Sequence, residues 1–176
     1  MAAVVLEKER LILRPFYLSD ATQVQKLAGH PIISQMTANI PYPYLDGMAE
    51  AWIQNHSTWH EKGQAVVFAV TLKNSGEVIG TVSLTQLSTS SGNLGYWIGL
   101  PYWGRGYCTE AASAVIEFGF SQLALQLIYA RHLPENPASG RVMQKNGFTY
   151  QRDVMVDEHS LLHYELDRDQ WQSKTH

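Results

Sequence analysis

Short apolar runs bounded by turn-forming residues recur along the chain, and they predict a series of β-strands. Residues 65–72 and 78–87 form two such runs, and the Gly-containing turn between them predicts a hairpin. The other predicted strands are residues 11–13, 94–100, 127–133, and a final hairpin of 148–156 with 161–166 across residues 157–160. Two glycines within 94–100 predict a bulge or a close approach of another group to the backbone.

Apolar residues at helical spacing predict helices between these strands. Asp20 with Gln23 resembles a capping box at the start of one helix, whose apolar stripe is Val24, Leu27 and Ala28. Residues 109–123 predict a second helix, which follows the strand at 94–100 and a Gly-containing turn.

Two further helices are predicted from their end signals. Asp46 can cap a helix in which Met48, Trp52, His56 and Trp59 recur at helical spacing before Gly63 ends it. A short helix is expected to begin at residues 136–137, because Asn favours the cap and Pro the first helical position. Three prolines within residues 30–44 predict an irregular, mostly exposed segment.

Length and charge narrow the function classes. The chain has 176 residues, 45% of them hydrophobic, which favours one globular domain spanning 1–176 with a core over about 9–170. Its 13 basic and 16 acidic residues give a net charge of −3, which argues against a nucleic-acid partner. The longest apolar run, residues 65–70, is far below the roughly 18 residues of a membrane span. The start of the chain lacks a signal-peptide pattern, so the cytoplasm is expected.

Residues 102–110, with the sequence YWGRGYCTE, carry the first candidate chemistry. A strand that ends in such a turn and opens a helix leaves backbone N–H groups without partners, and the helix dipole favours an anion there. Gly104 and Gly106 would let the backbone approach a pyrophosphate closely. A tight turn that uses glycines only for its geometry explains the same spacing. The P-loop pattern is absent from this segment. The three-glycine dinucleotide pattern does not match either, because Thr109 stands at its third glycine position.

Three further sequence segments accompany this turn in a fixed order along the chain. GYWIGLPYWGRGYCTEA at 95–111, NPAS at 136–139 and KNGF at 145–148, together with LILRP at 11–15, resemble the GNAT acetyltransferases. Within that family the likeness is greatest to the RimJ/RimL-type N-terminal acetyltransferases of ribosomal proteins. The resemblance implies an α/β (α+β) domain with a mixed, twisted sheet of about seven strands and about four helices. It also implies that two splayed strands, 94–100 and 127–133, hold acetyl-CoA.

The resemblance also implies which residues hold this cosubstrate. Its pantetheine would pair with the backbone of one strand end, and its pyrophosphate would bind the amides of the turn. The cofactor-binding residues expected in this way are Trp97, Ile98, Gly99, Leu100, Trp103, Gly104, Arg105, Gly106, Tyr107, Cys108, Thr109, Asn136 and Ser139. Pro101 stands where the wider superfamily often has Gln or Arg, which puts one side-chain phosphate contact in doubt.

The catalytic candidates are Asn136 and Ser139, which match the family's Asn-x-x-Ser positions. Ser139 could protonate the departing thiolate, or it could be an ordinary first-turn serine, and Asn136 is also a normal helix cap. Glu110 and Tyr102 lie near the turn, but Glu110 is expected to be structural, and no base is assigned. The single cysteine, Cys108, is expected to fill space in the turn rather than to carry an acyl group.

The acceptor site is expected around Tyr42, Tyr44 and Trp52, although Trp52 and Trp59 also suit a core stripe of one helix. Five acidic residues could give the groove a mild negative potential or simply form a solvated surface: Asp46, Glu50, Asp153, Asp157 and Glu158. His56 and His60 lack a third ligand, so no metal is expected. The resulting hypothesis is acetylation of a protein N-terminal amine by direct attack on the thioester. A small-molecule amine (polyamine, amino acid or antibiotic) and a non-catalytic CoA-binding module remain alternatives, and both a monomer and a homodimer are compatible with the sequence.

Overall fold

Eight strands form one mixed sheet in the computed structural model, which describes residues 3–175. The strands are β1 (Leu6–Glu7), β2 (Leu11–Arg14), β3 (Val66–Leu72), β4 (Val78–Thr85), β5 (Ser91–Ile98), β6 (Leu127–His132), β7 (Thr149–Val156) and β8 (His159–Asp167). Their order in the sheet is β1-β2-β3-β4-β5-β6-β8-β7. Every neighbouring pair is antiparallel except β5 and β6, which run parallel. The sheet therefore consists of two antiparallel parts joined at the β5–β6 pair.

Helices cover the sheet on both faces. They are α1 (Ala21–Ala28), α2 (Pro31–Met36), α3 (Met48–Glu61), α4 (Tyr107–Ser121), α5 (Pro137–Lys145) and α6 (Arg168–Thr175). On one face α4 and α5 pack against β4, β5 and β6, and on the other α1 and α3 pack against β3 and β4. The alternation of β3 supplies both cores, since Phe68 and Val70 belong to the α4 side and Ala69 to the α1 side.

The predicted strands and most predicted helices are confirmed, with additions at both ends of the chain. The prediction of about seven strands and four helices missed β1 and α6, which are a two-residue strand and a polar eight-residue helix. The prediction that 30–44 is irregular was wrong for its first part, because α2 lies there. Pro31 occupies the first turn of α2, and His30 Nδ1 accepts a hydrogen bond from the Ile32 amide, which gives this helix a cap.

Asp20 occupies the N-cap position of α1 as predicted, but its side chain makes no capping bond, and Asp46 does not cap α3, because other partners take the two carboxylates. Asp20 binds the guanidinium of Arg14 at 2.8 Å, and the Gln23 side chain donates to a β4 carbonyl instead. Asp46 accepts a hydrogen bond from Gln25, and Gly47 takes the cap position of α3.

Of the two glycines at positions 95 and 99, Gly99 just after β5 serves a close approach, and β5 has no bulge. The β4–β5 register runs without a shift, whereas the sheet has an irregularity between Val70 and Thr71 on β3. A Cβ atom placed on Gly99 would come within 2.7 Å of Leu27 Cδ2, so α1 packs where a side chain would otherwise stand.

Candidate functional site

The site is built on an opening in the sheet between β5 and β6. These strands pair over four residues only, from Ser91 with Leu127 to Leu94 with Ala130. Beyond Leu94 the β5 residues remain paired with β4 but have no partner on β6. The splay that the family resemblance implied is therefore present at the expected strands. It leaves one backbone edge of β5 open to a ligand that can pair like a strand.

The loop after β5 carries a row of backbone donors. Gly104 and Gly106 have φ values of 77° and 79°, in the left-handed region that favours glycine. No acceptor is found within residues 3–175 for the amides of residues 104–106, and the first turn of α4 adds amides without intrahelical partners. A Cβ atom placed on Gly104 would meet nothing within 4 Å. The loop is thus an open cradle of N–H groups at the positive end of a 15-residue helix.

Arg10 anchors this loop from β2's side of the sheet. Its Nε lies 2.7 Å from Oε1 of Glu110, its backbone amide donates to Oε2, and its Nη1 donates to the Arg105 carbonyl. The guanidinium also stacks 4.5 Å over the ring of Tyr107. Both carboxylate oxygens of Glu110 are therefore engaged, which fits the structural role expected for it from the sequence.

Two aromatic residues of the turn have side-chain partners that the sequence did not predict. The Trp103 indole donates to the Ile98 carbonyl at 2.6 Å, so one carbonyl of the expected pantetheine segment is already engaged. The Tyr102 hydroxyl donates to Oε1 of Glu77 in the β3–β4 turn. This bond to a carboxylate raises the pKa of Tyr102 to about 12, and a phenol held in that way is no base at neutral pH.

Cys108 lies in the first turn of α4 and packs against the main core. Burial raises the pKa of its thiol to about 12, which outweighs the lowering expected at a helix N-terminus. A thiol in this state is a poor nucleophile. The structure thus favours the space-filling role expected from the sequence.

Ser139 and Tyr96 meet across the splay. Ser139 Oγ donates to the Tyr96 hydroxyl at 3.0 Å, and that hydroxyl donates to the Ser139 carbonyl at 2.9 Å. Desolvation raises the pKa of Tyr96 well above its ordinary range, so the phenol keeps its proton. The sequence did not predict a role for Tyr96. Its position, two residues past the last β5–β6 pair, depends on the strand register, which the sequence alone does not give.

Asn136 uses both ends of its side-chain amide. Its Oδ1 accepts from the Ser139 amide at 3.3 Å, which caps α5 as the sequence predicted. Its Nδ2 donates to the Met36 carbonyl at the end of α2. Asn136 therefore links α5, the helix that bears Ser139, to the C-terminal end of α2.

A cavity of about 430 Å³ lies on the α1–α3 side of the sheet, beside the splay. Its lining includes Tyr44, Trp52 and Trp59 from the helical layer and the strand residues Ser83 and Gly95. None of the residues that line it is charged. Trp52 also packs against the core on the α1–α3 side, so it serves as pocket wall and core, whereas Trp59 serves as pocket wall.

Some expected acceptor-side residues lie elsewhere. Tyr42 is 59% exposed and is not part of the cavity lining, because the segment turns outward there, whereas Tyr44 is half-buried and lines it. Burial raises the pKa of the Tyr44 hydroxyl. The five acidic residues considered for a negative groove are also outside the lining: Asp46, Glu50, Asp153, Asp157 and Glu158.

Among residues 3–175, no group of three or more His, Cys, Asp or Glu side chains lies close enough to hold a metal ion. No helix in that range is long and apolar enough to cross a bilayer.

Comparison with known proteins adds family information to this geometry. Residues 10–149 match the model of the acetyltransferase (GNAT) domain. An uncharacterised N-acetyltransferase of Bacillus licheniformis is 30% identical over 153 residues, which cover 86% of this chain and 84% of that protein. The ribosomal protein uS5-alanine N-acetyltransferase of Escherichia coli is 28% identical over 104 residues, 56% of this chain and 54% of that enzyme.

Solved structures share the fold at lower identity. RimL, a ribosomal alpha-N-protein acetyltransferase in complex with coenzyme A, superposes with a TM-score of 0.84 at 17% identity, covering 95% of this chain and 99% of RimL. A GNAT-family acetyltransferase from Bacillus anthracis gives 0.83 at 20% identity, covering 94% and 99%. The sheet order and the splayed β5–β6 pair thus belong to a known architecture.

Proposed function

This chain belongs to the GNAT family of acetyltransferases, and on that premise we propose that it transfers the acetyl group of acetyl-CoA to a protein N-terminal amine. The observation that carries the proposal is the splay between β5 and β6, with an amide-lined loop at one end and an uncharged aromatic pocket at its side. Relatives that include a ribosomal-protein alanine N-acetyltransferase support a protein acceptor.

The loop fits the pyrophosphate of CoA on its own geometry. The open amides of residues 104–109 are donors for phosphate oxygens, and the space in front of Gly104 admits the group. The open β5 edge offers backbone partners to the pantetheine, while the indole of Trp103 would have to release the Ile98 carbonyl for that carbonyl to take part. When bound, acetyl-CoA supplies a thioester carbonyl that is already activated for attack by an amine.

The protein's own contribution is positioning and proton transfer. The pocket walls Tyr44 and Trp52 exclude water around the acceptor and align its amine with the splay. Ser139 can release its bond to Tyr96 and present its hydroxyl proton to the departing sulfur, and the Ser139 oxygen then takes up the proton that the attacking amine loses. Tyr96 keeps its proton throughout and positions the Ser139 hydroxyl. Among the residues that line the pocket no carboxylate or histidine is available as a base, so the amine is expected to enter in its neutral form.

A thiol-release assay with acetyl-CoA tests the proposal. Release of CoA with peptides that carry ribosomal-protein N-termini, and acetylation of the peptide α-amine seen by mass spectrometry, supports it. Release only with polyamines, amino acids or antibiotics would assign the enzyme to small amines instead. Binding of acetyl-CoA without release for any acceptor would indicate a non-catalytic CoA-binding module.

Substitution of the hydroxyl pair tests the proton-transfer role. Ser139→Ala is expected to lower kcat about 10- to 100-fold while the KM for acetyl-CoA changes little, because the hydroxyl acts on the departing thiolate. Tyr96→Phe should lower kcat in the same direction. Tyr150→Phe is the matched control, since its hydroxyl bonds Asp153 on the exposed β7 strand. A rise in KM with unchanged kcat for Ser139→Ala would contradict the role.

A further inference from the structure

Arg131 lies at the mouth of the splay on the acceptor face. It directly follows Ala130, the last β6 residue that pairs with β5. The register places Tyr129 opposite Asn93, so Tyr129 and Arg131 share a face with Gly95 and with Ser83, which pairs with Gly95. Gly95 and Ser83 line the uncharged pocket. Arg131 is therefore a cation on the same face as the pocket, one strand away across the splay.

Gly95 leaves the path between the pocket and Arg131 open. A Cβ atom placed there would have a single neighbour within 4 Å, Ser83 Oγ at 3.5 Å. Neighbouring strands are about 4.8 Å apart and β5 and β6 diverge beyond this point, so the Arg131 backbone is about one or two residue lengths from Gly95. A ligand that extends from the pocket past Gly95 would reach the β6 side of the splay, where Arg131 stands.

A buried histidine holds Arg131 in place. The Arg131 Nε donates to Nδ1 of His163 at 3.0 Å, and His163, only 3% exposed, contacts Glu165 Oε2 through Nε2 at 2.8 Å. Because an arginine can only donate, Nδ1 must accept, and the imidazole proton is on Nε2, where it donates to Glu165. The guanidinium also lies 5.0 Å over the ring of Tyr129. These contacts fix the side chain before any ligand arrives.

The free side of the guanidinium is suited to a carboxylate. No acceptor is found among residues 3–175 for the two terminal nitrogens of Arg131, which is half-buried. Glu165 binds the far side of His163 and also lies 3.8 Å from Arg152, so its charge is shared. A fixed guanidinium with two free terminal nitrogens matches the two oxygens of a carboxylate.

We propose that Arg131 binds a carboxylate that the acceptor carries within about two residues of its reactive amine. The inference rests on the proposed function, since it assumes that the acceptor enters the pocket beside the splay. The carboxylate can belong to an acidic side chain next to a protein N-terminus or to the α-carboxyl group of a small amine. The uncharged pocket then receives the apolar part of the acceptor.

Equilibrium binding to the CoA complex of the full chain tests the proposal without turnover. The probes are the tripeptide amides Ala-Glu-Ala and Ala-Gln-Ala, and alanine with alaninamide as the small-molecule pair, each titrated calorimetrically. The wild-type protein is expected to bind the carboxylate member of at least one pair about tenfold more tightly. Arg131→Gln should abolish this preference. A preference in the peptide pair assigns the carboxylate to a side chain, and one in the alanine pair assigns it to an α-carboxyl group.

Two further variants serve as controls for the Arg131→Gln result. Arg152→Gln removes the other cation near Glu165 and should keep the preference. Arg131→Lys keeps the positive charge but lacks the paired N–H donors of the guanidinium, so it should show an intermediate preference. If Arg131→Gln lowers the Tm, Arg131→Lys serves as the test in its place. Equal binding within both pairs, binding of no probe, or a preference that survives in Arg131→Gln would overturn the proposal. Acetylation is measured separately, so tight binding without transfer would count against the proposed function and not against Arg131.

Discussion

His56 is a polar side chain in an apolar environment, packed against Trp52 and Trp59, two residues that line the cavity beside the splay. Its ring lies 4.4 Å from that of Trp52 and 5.6 Å from those of Phe16 and Trp59. Neither ring nitrogen has a hydrogen-bond partner in the described part of the chain. Burial lowers the pKa of His56 from 6.5 to about 4. The folded protein therefore keeps this imidazole neutral at a pH where the unfolded chain would protonate it.

Replacement of His56 by Leu should remove the free-energy cost of keeping this imidazole neutral as the pH falls. With a pKa of 6.5 in the unfolded chain and about 4 in the folded one, stability is complete above pH 6.5 and falls as the pH decreases toward 4. Between pH 7 and pH 5 the wild-type protein should lose about 2 kcal/mol through this group, or about 1 kcal/mol if solvent reaches the half-buried ring. His56→Leu lacks the group, so its advantage over the wild type should grow by about 1 to 2 kcal/mol over that interval.

Urea unfolding at pH 7, 6 and 5, followed by far-UV circular dichroism, measures this difference. His159→Leu provides the control, because it makes the same substitution at an exposed position. A constant difference in unfolding free energy between His56→Leu and the wild type across the three pH values would refute the reasoning. It would mean that the imidazole is solvated or hydrogen-bonded in the folded protein.

The remaining predictions concern the cofactor loop. Gly104→Val should abolish CoA binding, measured by titration calorimetry. Gly76 in the β3–β4 turn has nearly the same positive φ and equally open surroundings, so Gly76→Val is the control. It should lower the Tm by a similar amount and keep the affinity for CoA. Cys108→Ala should retain most activity, and native Cys108 should resist iodoacetamide at pH 8; lost turnover with intact CoA binding would contradict this. Glu110→Gln should weaken CoA binding about threefold to tenfold by freeing Arg10; unchanged affinity would contradict the anchoring role.

Local signals in the sequence predicted the elements that carry the site. The glycines of the turn predicted a backbone open to close approach, and both adopt the left-handed conformation there; Asn136 before a proline predicted the cap of α5. These features depend on residues close together in the chain, where steric and hydrogen-bonding rules act directly. The expected strands and the splay followed from the pattern and from the family resemblance together.

Contacts between distant segments could not be predicted in this way. The partners of Arg10 and of Tyr102 are 100 and 25 residues away, and several acceptors compete for each donor. The pairing of Tyr96 with Ser139 and of Arg131 with His163 depends on the β5–β6–β8 register, which no local pattern fixes. The five acidic residues left open between a groove and a solvated surface are outside the cavity lining, and the sequence could not decide this because it does not tell which surface charges face a cavity.

The short β5–β6 pairing has a consequence for how the protein folds. Four residue pairs join the antiparallel half β1–β5 to the half formed by β6, β8 and β7, and the connection between them runs through the whole of α4. The flanking pairs β4–β5 and β6–β8 have six paired residues each, so we expect the four-residue junction to be the weakest link of the central sheet and to form after them. The splay between β5 and β6 would then be the last part of the central sheet to assemble, and its amides the first to exchange with solvent.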